Sequence, residues 1–278
     1  MAVVLGLLVA TFFGFGDFCG GMASKQMSSL RVLVRAQPFA MVASLAVAIV
    51  VGGHPTTADI VRALIVGVVS VGGLGLLYRG LAIGPMGVVA PLTAAGSAVI
   101  PVTWGLIKGE ELTLVTGTGV CVILIAIVLL ARSGDTGAAS KVHAASILLA
   151  LAAGGCFGTG ISLLASTSKH GGVWPAVFER ISLLAVALVL ARATRQPKVR
   201  ITRATAVFVA GNVIGDVTAT VLLIVATRRG LLAIVAPLQA LYLAVTVLLA
   251  RMVLHERLRH IQRVGMVLAL GGIIALAM

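Results

Sequence analysis

Charge is scarce in this chain. Asp, Glu, Lys and Arg make up 10% of its 278 residues, against about a quarter in soluble domains. Only eight residues are acidic, while 60% are hydrophobic and the mean hydropathy is +1.16. A water-soluble fold could not hide that much apolar surface, so the bilayer is the expected solvent. Cysteine is nearly missing. Cys19, Cys121 and Cys156 each lie inside an apolar run, which excludes a disulfide framework and leaves them as small packing residues. The five histidines (His54, His143, His170, His255 and His260) fall at loops or helix ends. None stands at ligand spacing from a Cys or Asp, so no metal is expected. A Ser/His/Asp set with a nucleophile elbow is lacking too, which argues against an enzyme of that kind. Gly154–Gly160 has neither a strand before it nor a phosphate-binding Lys after it, and no nucleotide or other cofactor is expected.

What is present is a repeat. From Gly84 the chain reads G-P-M-G-V-V-A-P-L-T-A and runs apolar to K-G-E-E-L at Lys108–Leu112. From Gly230 it reads G-L-L-A-I-V-A-P-L-Q-A and runs apolar to L-H-E-R-L at Leu254–Leu258. Pro91 pairs with Pro237 and Glu110 with Glu256, both at an offset of 146 and with no gap between them. Earlier parts echo one another as well, Phe13-Gly14 with Phe157-Gly158 and Arg35 with Arg180. A long-period repeat of this kind governs the fold.

Apolar runs give spans near 3–22, 35–52, 61–78, 86–106, 113–131, 144–165, 173–191, 205–225, 231–250 and 262–277. The first holds Asp17 and lacks a basic lead, so it reads as a retained span rather than a signal peptide. The polar stretch 132–143 separates residues 1–131 from residues 144–278, each with five spans. Five is odd, so two copies in series face opposite ways across the membrane. The expectation is an all-α polytopic membrane protein with ten transmembrane helices in two inverted five-helix repeats, and a site near the midplane between them.

The net charge of +13 does not point to nucleic acid, because the basic residues punctuate helix ends instead of gathering on a soluble face. Assigned to alternating sides of the membrane, fifteen of the 21 Lys and Arg fall on the side of Lys25 and six on the other. The positive-inside rule then puts the Lys25 side in the cytoplasm and both termini outside a cytoplasmic membrane.

A few polar residues stand at membrane depth. Asp17 lies well inside the first span, where an acid must face the bundle interior or a wet cavity. Asn212 and Asp216 are four apart on the eighth span and Thr220 continues their stripe, as cavity lining or as an interhelical hydrogen-bond seam. Gln239 and Tyr242 follow Pro237 closely and could join the same cavity or simply pack. Pro91 and Pro237 interrupt helical hydrogen bonding, as gating hinges or as static kinks. Glu110 and Glu256 sit at turns, each placed to cap the helix that follows. Arg35 and Arg180 are repeat partners near helix ends, and snorkelling anchors are the simpler reading for both.

The run Y-R-G-L-A-I-G-P-M-G-V-V-A-P-L at Tyr78–Leu92, the later G-E-E-L, and the echo A-T-R-R-G…V-A-P-L…H-E-R-L resemble the EamA-type drug/metabolite transporters. F-G-F-G-D-F in the first span and V-F-E-R at Val177–Arg180 stand where that family has related segments. The resemblance implies ten helices in two inverted halves and movement of small metabolites by alternating access. For many relatives it also implies cytoplasmic termini, against the charge count here. Phe13, Asp17 and His255 depart from the family pattern.

Together these features lead to a secondary active transporter of a small polar metabolite (an amino acid, amine or drug-like compound), with proton coupling through Asp17 and Asp216 and with export preferred to uptake. Its expected partners are the substrate, the lipid bilayer and protons, in a monomer or a homodimer. The alternatives are a membrane-embedded enzyme acting on lipid-linked substrates, for which the loops are short, and a passive facilitator or channel.

Overall fold

A computed structural model describes residues 2–24, 26–83, 86–130, 144–194, 202–254 and 260–277. Among them the regular structure is helical. In chain order the helices are α1 (Ala2–Ser24), α2 (Ser29–Val51), α3 (Thr57–Ile83), α4 (Met86–Ile107), α5 (Leu114–Leu130), α6 (Ala144–Ala165), α7 (Trp174–Ala193), α8 (Arg203–Arg229), α9 (Leu232–Ala240), α10 (Tyr242–Leu254) and α11 (His260–Ala277). A single 3₁₀ turn, Lys169–Gly171, lies between α6 and α7. Stretch 132–143 and Glu256 lie outside the described residues.

Six of these helices are long and apolar enough by themselves to cross a membrane, and four further apolar helical stretches are shorter. Large apolar side chains such as Val50, Leu114, Leu148 and Val207 are exposed on the outer surface, where water would penalise them and acyl chains do not. The chain is an integral membrane protein of helices.

Local chemistry sets several helix boundaries. At the start of α3, Thr56 and Asp59 cap reciprocally: the Asp59 amide donates to Thr56 Oγ1 (3.2 Å) and the Thr56 amide to Asp59 Oδ2 (3.0 Å). Thr202 caps α8 by accepting from the Thr205 amide at 3.1 Å. The ninth span, expected to run unbroken over 231–250, is instead two helices meeting at Leu241. Pro237 has no amide to donate. Leu241 then bonds three residues back, to the Leu238 carbonyl at 3.2 Å, and accepts from the Ala244 amide at 2.8 Å, so a tight turn separates α9 from α10.

Glycine lets the helices close up. A Cβ on Gly215 would stand 2.7 Å from the Gly16 Cα, and one on Gly154 would stand 2.6 Å from the Thr93 carbonyl oxygen. Backbones of α1 and α8, and of α4 and α6, therefore meet almost directly. The dominant partnerships are α1 with α8, α3 with α6, α4 with α6, α5 with α11, α1 with the α9–α10 pair, α3 with α7 and α2 with α7. A central apolar core, including Ile123, Ile127 and Leu238, ties α5 and α11 to α9.

Candidate functional site

A cavity of about 530 Å³ runs through the middle of the bundle. Its lining reaches from Leu223 and Gln239, deep in the structure, to Ser24 and Leu77 near the ends of α1 and α3. Three carboxylates face it, Asp17 of α1, Glu179 of α7 and Asp216 of α8, with Arg180 as the cation among its described lining.

Sequence position explains these placements. Gly16 brings α1 against α8 at Gly215, so the residues that follow, Asp17 and Asp216, turn into the same space. Asn212 donates from Nδ2 to the Gly16 carbonyl at 2.9 Å while also lining the cavity, so lining and seam are both true of it. Asp216 accepts from Arg180 Nη1 at 2.5 Å, and Arg180 Nη2 donates to Thr220 Oγ1 at 2.7 Å. Thr220 is buried beneath this pair. Gln239, buried, and Tyr242, half-buried, flank the break at Leu241 and line the same cavity. The structure thus brings together all six residues expected in a binding or coupling role.

Two expectations are corrected. Arg180 is not a snorkelling anchor: it is 2% exposed and held inside by Asp216 and Thr220, because an interior acid one helix away outcompetes a distant head group. Its repeat partner Arg35 is half-buried on α2 and is not part of the cavity lining. Glu110 does cap a helix, but not the following α5. Its two oxygens accept from the Leu232 amide (2.7 Å) and the Ala233 amide (2.8 Å) at the start of α9. The α4–α5 turn lies beside that helix start, whose first amides lack intrahelical partners. Pro237 is buried within α9; Pro91 falls in α4 with its side chain outside the described ones, and Glu256 is outside them entirely.

Glu179 and Gln37 belong to the cavity without having been expected there. The signal for Glu179 was its direct adjacency to Arg180 inside an apolar span. Glu179 Oε2, Gln37 Oε1 and Gln239 Oε1 are buried without a hydrogen-bond partner.

At the other end of the bundle the polar groups are tied to one another. Asp59 accepts from the Ser168 amide (2.8 Å) and hydroxyl (2.5 Å). Arg228 donates to the Ser168 carbonyl at 2.9 Å, Arg62 to the Ser166 carbonyl at 3.0 Å, and Trp104 Nε1 to Ser166 Oγ at 3.1 Å. With the Glu110 cap, these bonds join α3, α4, the α6–α7 turn, α8 and α9 into one plug. A second hollow of about 540 Å³, as large as the cavity, lies among these bonds and is lined by Arg62, Trp104, Lys108, Glu110 and Ser166. Among the described residues no group of three or more His, Cys, Asp or Glu could hold a metal ion.

A membrane-embedded helical bundle with a charged interior cavity and a hydrogen-bonded cluster toward one end defines the class of a polytopic solute-handling protein. The EamA-like transporter family model matches residues 1–132 and 144–278, and the chain belongs to that family. Its members are membrane transporters of small molecules. A crystal structure described as "Crystal structure of protein" superposes with a TM-score of 0.82 at 15% identity, covering 100% of this chain and 98% of the other. At that identity the likeness carries the fold alone. No curated protein matches the chain.

Proposed function

We propose that the protein is a secondary transporter that carries a small polar metabolite across the cytoplasmic membrane by alternating access, coupled to protons and in the direction of export. The observation that carries this reading is the cavity itself: three carboxylates carried on apolar spans, Asp17, Glu179 and Asp216, line one space in the bundle interior. An acid held there without a partner costs about 2.5–3.5 kcal/mol at the helix centre, which a proton or a bound substrate relieves. Asp17 and Glu179 are placed to trade one for the other, and Asp216 joins them when it releases Arg180.

Ten spans in two inverted halves, residues 1–131 and 144–278, are supported by the offset of 146 and by the helix partnerships. Exchanging the first five spans with the last five turns α1–α8 into α6–α3 and leaves α2–α7 and α5–α11 unchanged. By the charge count the mouth near Ser24 faces the cytoplasm, which suits loading for export. A tag at either terminus found in the cytoplasm would reverse that direction.

Proteoliposomes test the mechanism. Saturable, competable solute movement that follows an imposed pH gradient is the expected result. Saturable movement that ignores the gradient would remove proton coupling, and movement that never saturates would make the protein a channel.

A further inference from the structure

The polar groups of the cavity differ in what they still have to offer. Arg180 has Nη1 on Asp216 and Nη2 on Thr220; its Nε has no partner but is buried with the rest of the side chain, which is 2% exposed. Asp17 is exposed to the cavity and has no hydrogen-bond or ion-pair partner among the described residues. Glu179 Oε2 is buried and unpartnered, as are the carbonyl oxygens of Gln37 and Gln239. A glutamine amide can turn either edge toward a ligand, so the two carboxylates decide the sign. Ionised, they only accept. Phe13, Phe157 and Tyr242 line the same space, and aromatic faces attract cations.

Resting on the transporter reading above, we propose that the substrate class is an amphipathic organic amine, carried as its ammonium ion and bearing no carboxylate. The ammonium group donates to Asp17, the exposed carboxylate, and the apolar body lies against Phe13, Phe157 and Tyr242. About 530 Å³ is within the range of small-molecule pockets, roughly 300–1,000 Å³. An amino acid would bring a carboxylate into a cavity whose described lining already carries three acids against one Arg, itself paired with Asp216. An organic acid would bring the same penalty with nothing in return.

Three solutes that share a phenol ring separate these cases. Tyramine carries the amine alone, tyrosine both charges, and 4-hydroxyphenylpropionate the carboxylate alone. In proteoliposomes of the purified full chain, labelled tyramine is expected to enter saturably. Unlabelled tyrosine is expected to compete about tenfold more weakly, and the acid not at all. Asp17→Asn removes no contact of the fold and is expected to weaken the apparent tyramine affinity about tenfold. Preference for tyrosine or the acid, or tyramine uptake indifferent to Asp17→Asn, overturns the amine assignment and leaves the transporter reading standing. Failure of folded protein to move any of the three saturably counts against both.

Discussion

The plug at one end of this bundle and the cavity in its interior use the same kinds of side chain in opposite ways. In the plug, Asp59 is fully buried and accepts from Thr56 and Ser168, while Arg62, Arg228 and Trp104 each donate to a named oxygen. In the cavity, Asp17 has no described partner, and Glu179, Gln37 and Gln239 each keep a buried oxygen unsatisfied. A polar group whose bonds are complete holds helices together. One whose bonds are incomplete inside a membrane protein is costly unless a ligand or proton completes them. The Arg180–Asp216 pair belongs to both worlds, a structural tie built into the cavity wall.

That contrast predicts a graded set of outcomes. Arg180→Met strands Asp216 and Thr220 and should cost the most, about 3–5 kcal/mol, read as a lower midpoint of thermal unfolding in detergent. Adding Asp216→Leu should restore much of the loss, since an apolar replacement of a whole buried pair is close to neutral. Asp59→Ala leaves the donors of Thr56 and Ser168 unanswered and should cost about 3 kcal/mol, measured in the same way. Glu110→Ala removes the α9 cap for about 1 kcal/mol, and Glu110→Gln, which keeps an acceptor, should cost less. Asp17→Asn should change stability by no more than about 0.5 kcal/mol while the apparent affinity for solute in proteoliposomes falls about tenfold. A large unfolding effect from Asp17→Asn would erase the distinction between plug and cavity. A negligible one from Asp59→Ala would do the same from the other side.

Much of the fold was legible because membrane spans announce themselves by length of apolar run, and α1 to α8 begin and end within a few residues of expectation except at the extended ends of α2 and α3. Asp17, Asn212, Asp216 and Thr220 were legible for a related reason: in an apolar chain a membrane-depth polar residue has few places to go. The break at Leu241 was not, because Pro91 stands in the same repeat position and α4 runs through it without interruption. Nor was the partner of Glu110. Its turn names α5 as the neighbour in sequence, while the open amides it finds lie 122 and 123 residues away. The Asp59–Ser168 tie spans 109 residues, with no local pattern to mark it. The inward pairing of Arg180 is not legible either, because its nearness to a helix end says nothing of the acid facing it from α8.

Alternating access is the claim on which the rest stands, and single-cysteine accessibility tests it most directly. In a chain with Cys19, Cys121 and Cys156 replaced, Ser70→Cys would place a thiol on the cavity wall. A membrane-impermeant maleimide, applied to one face of oriented vesicles at a time, should modify it from both faces, with added substrate shifting the ratio of the two rates. Modification from one face alone, unaffected by solute, would contradict the account.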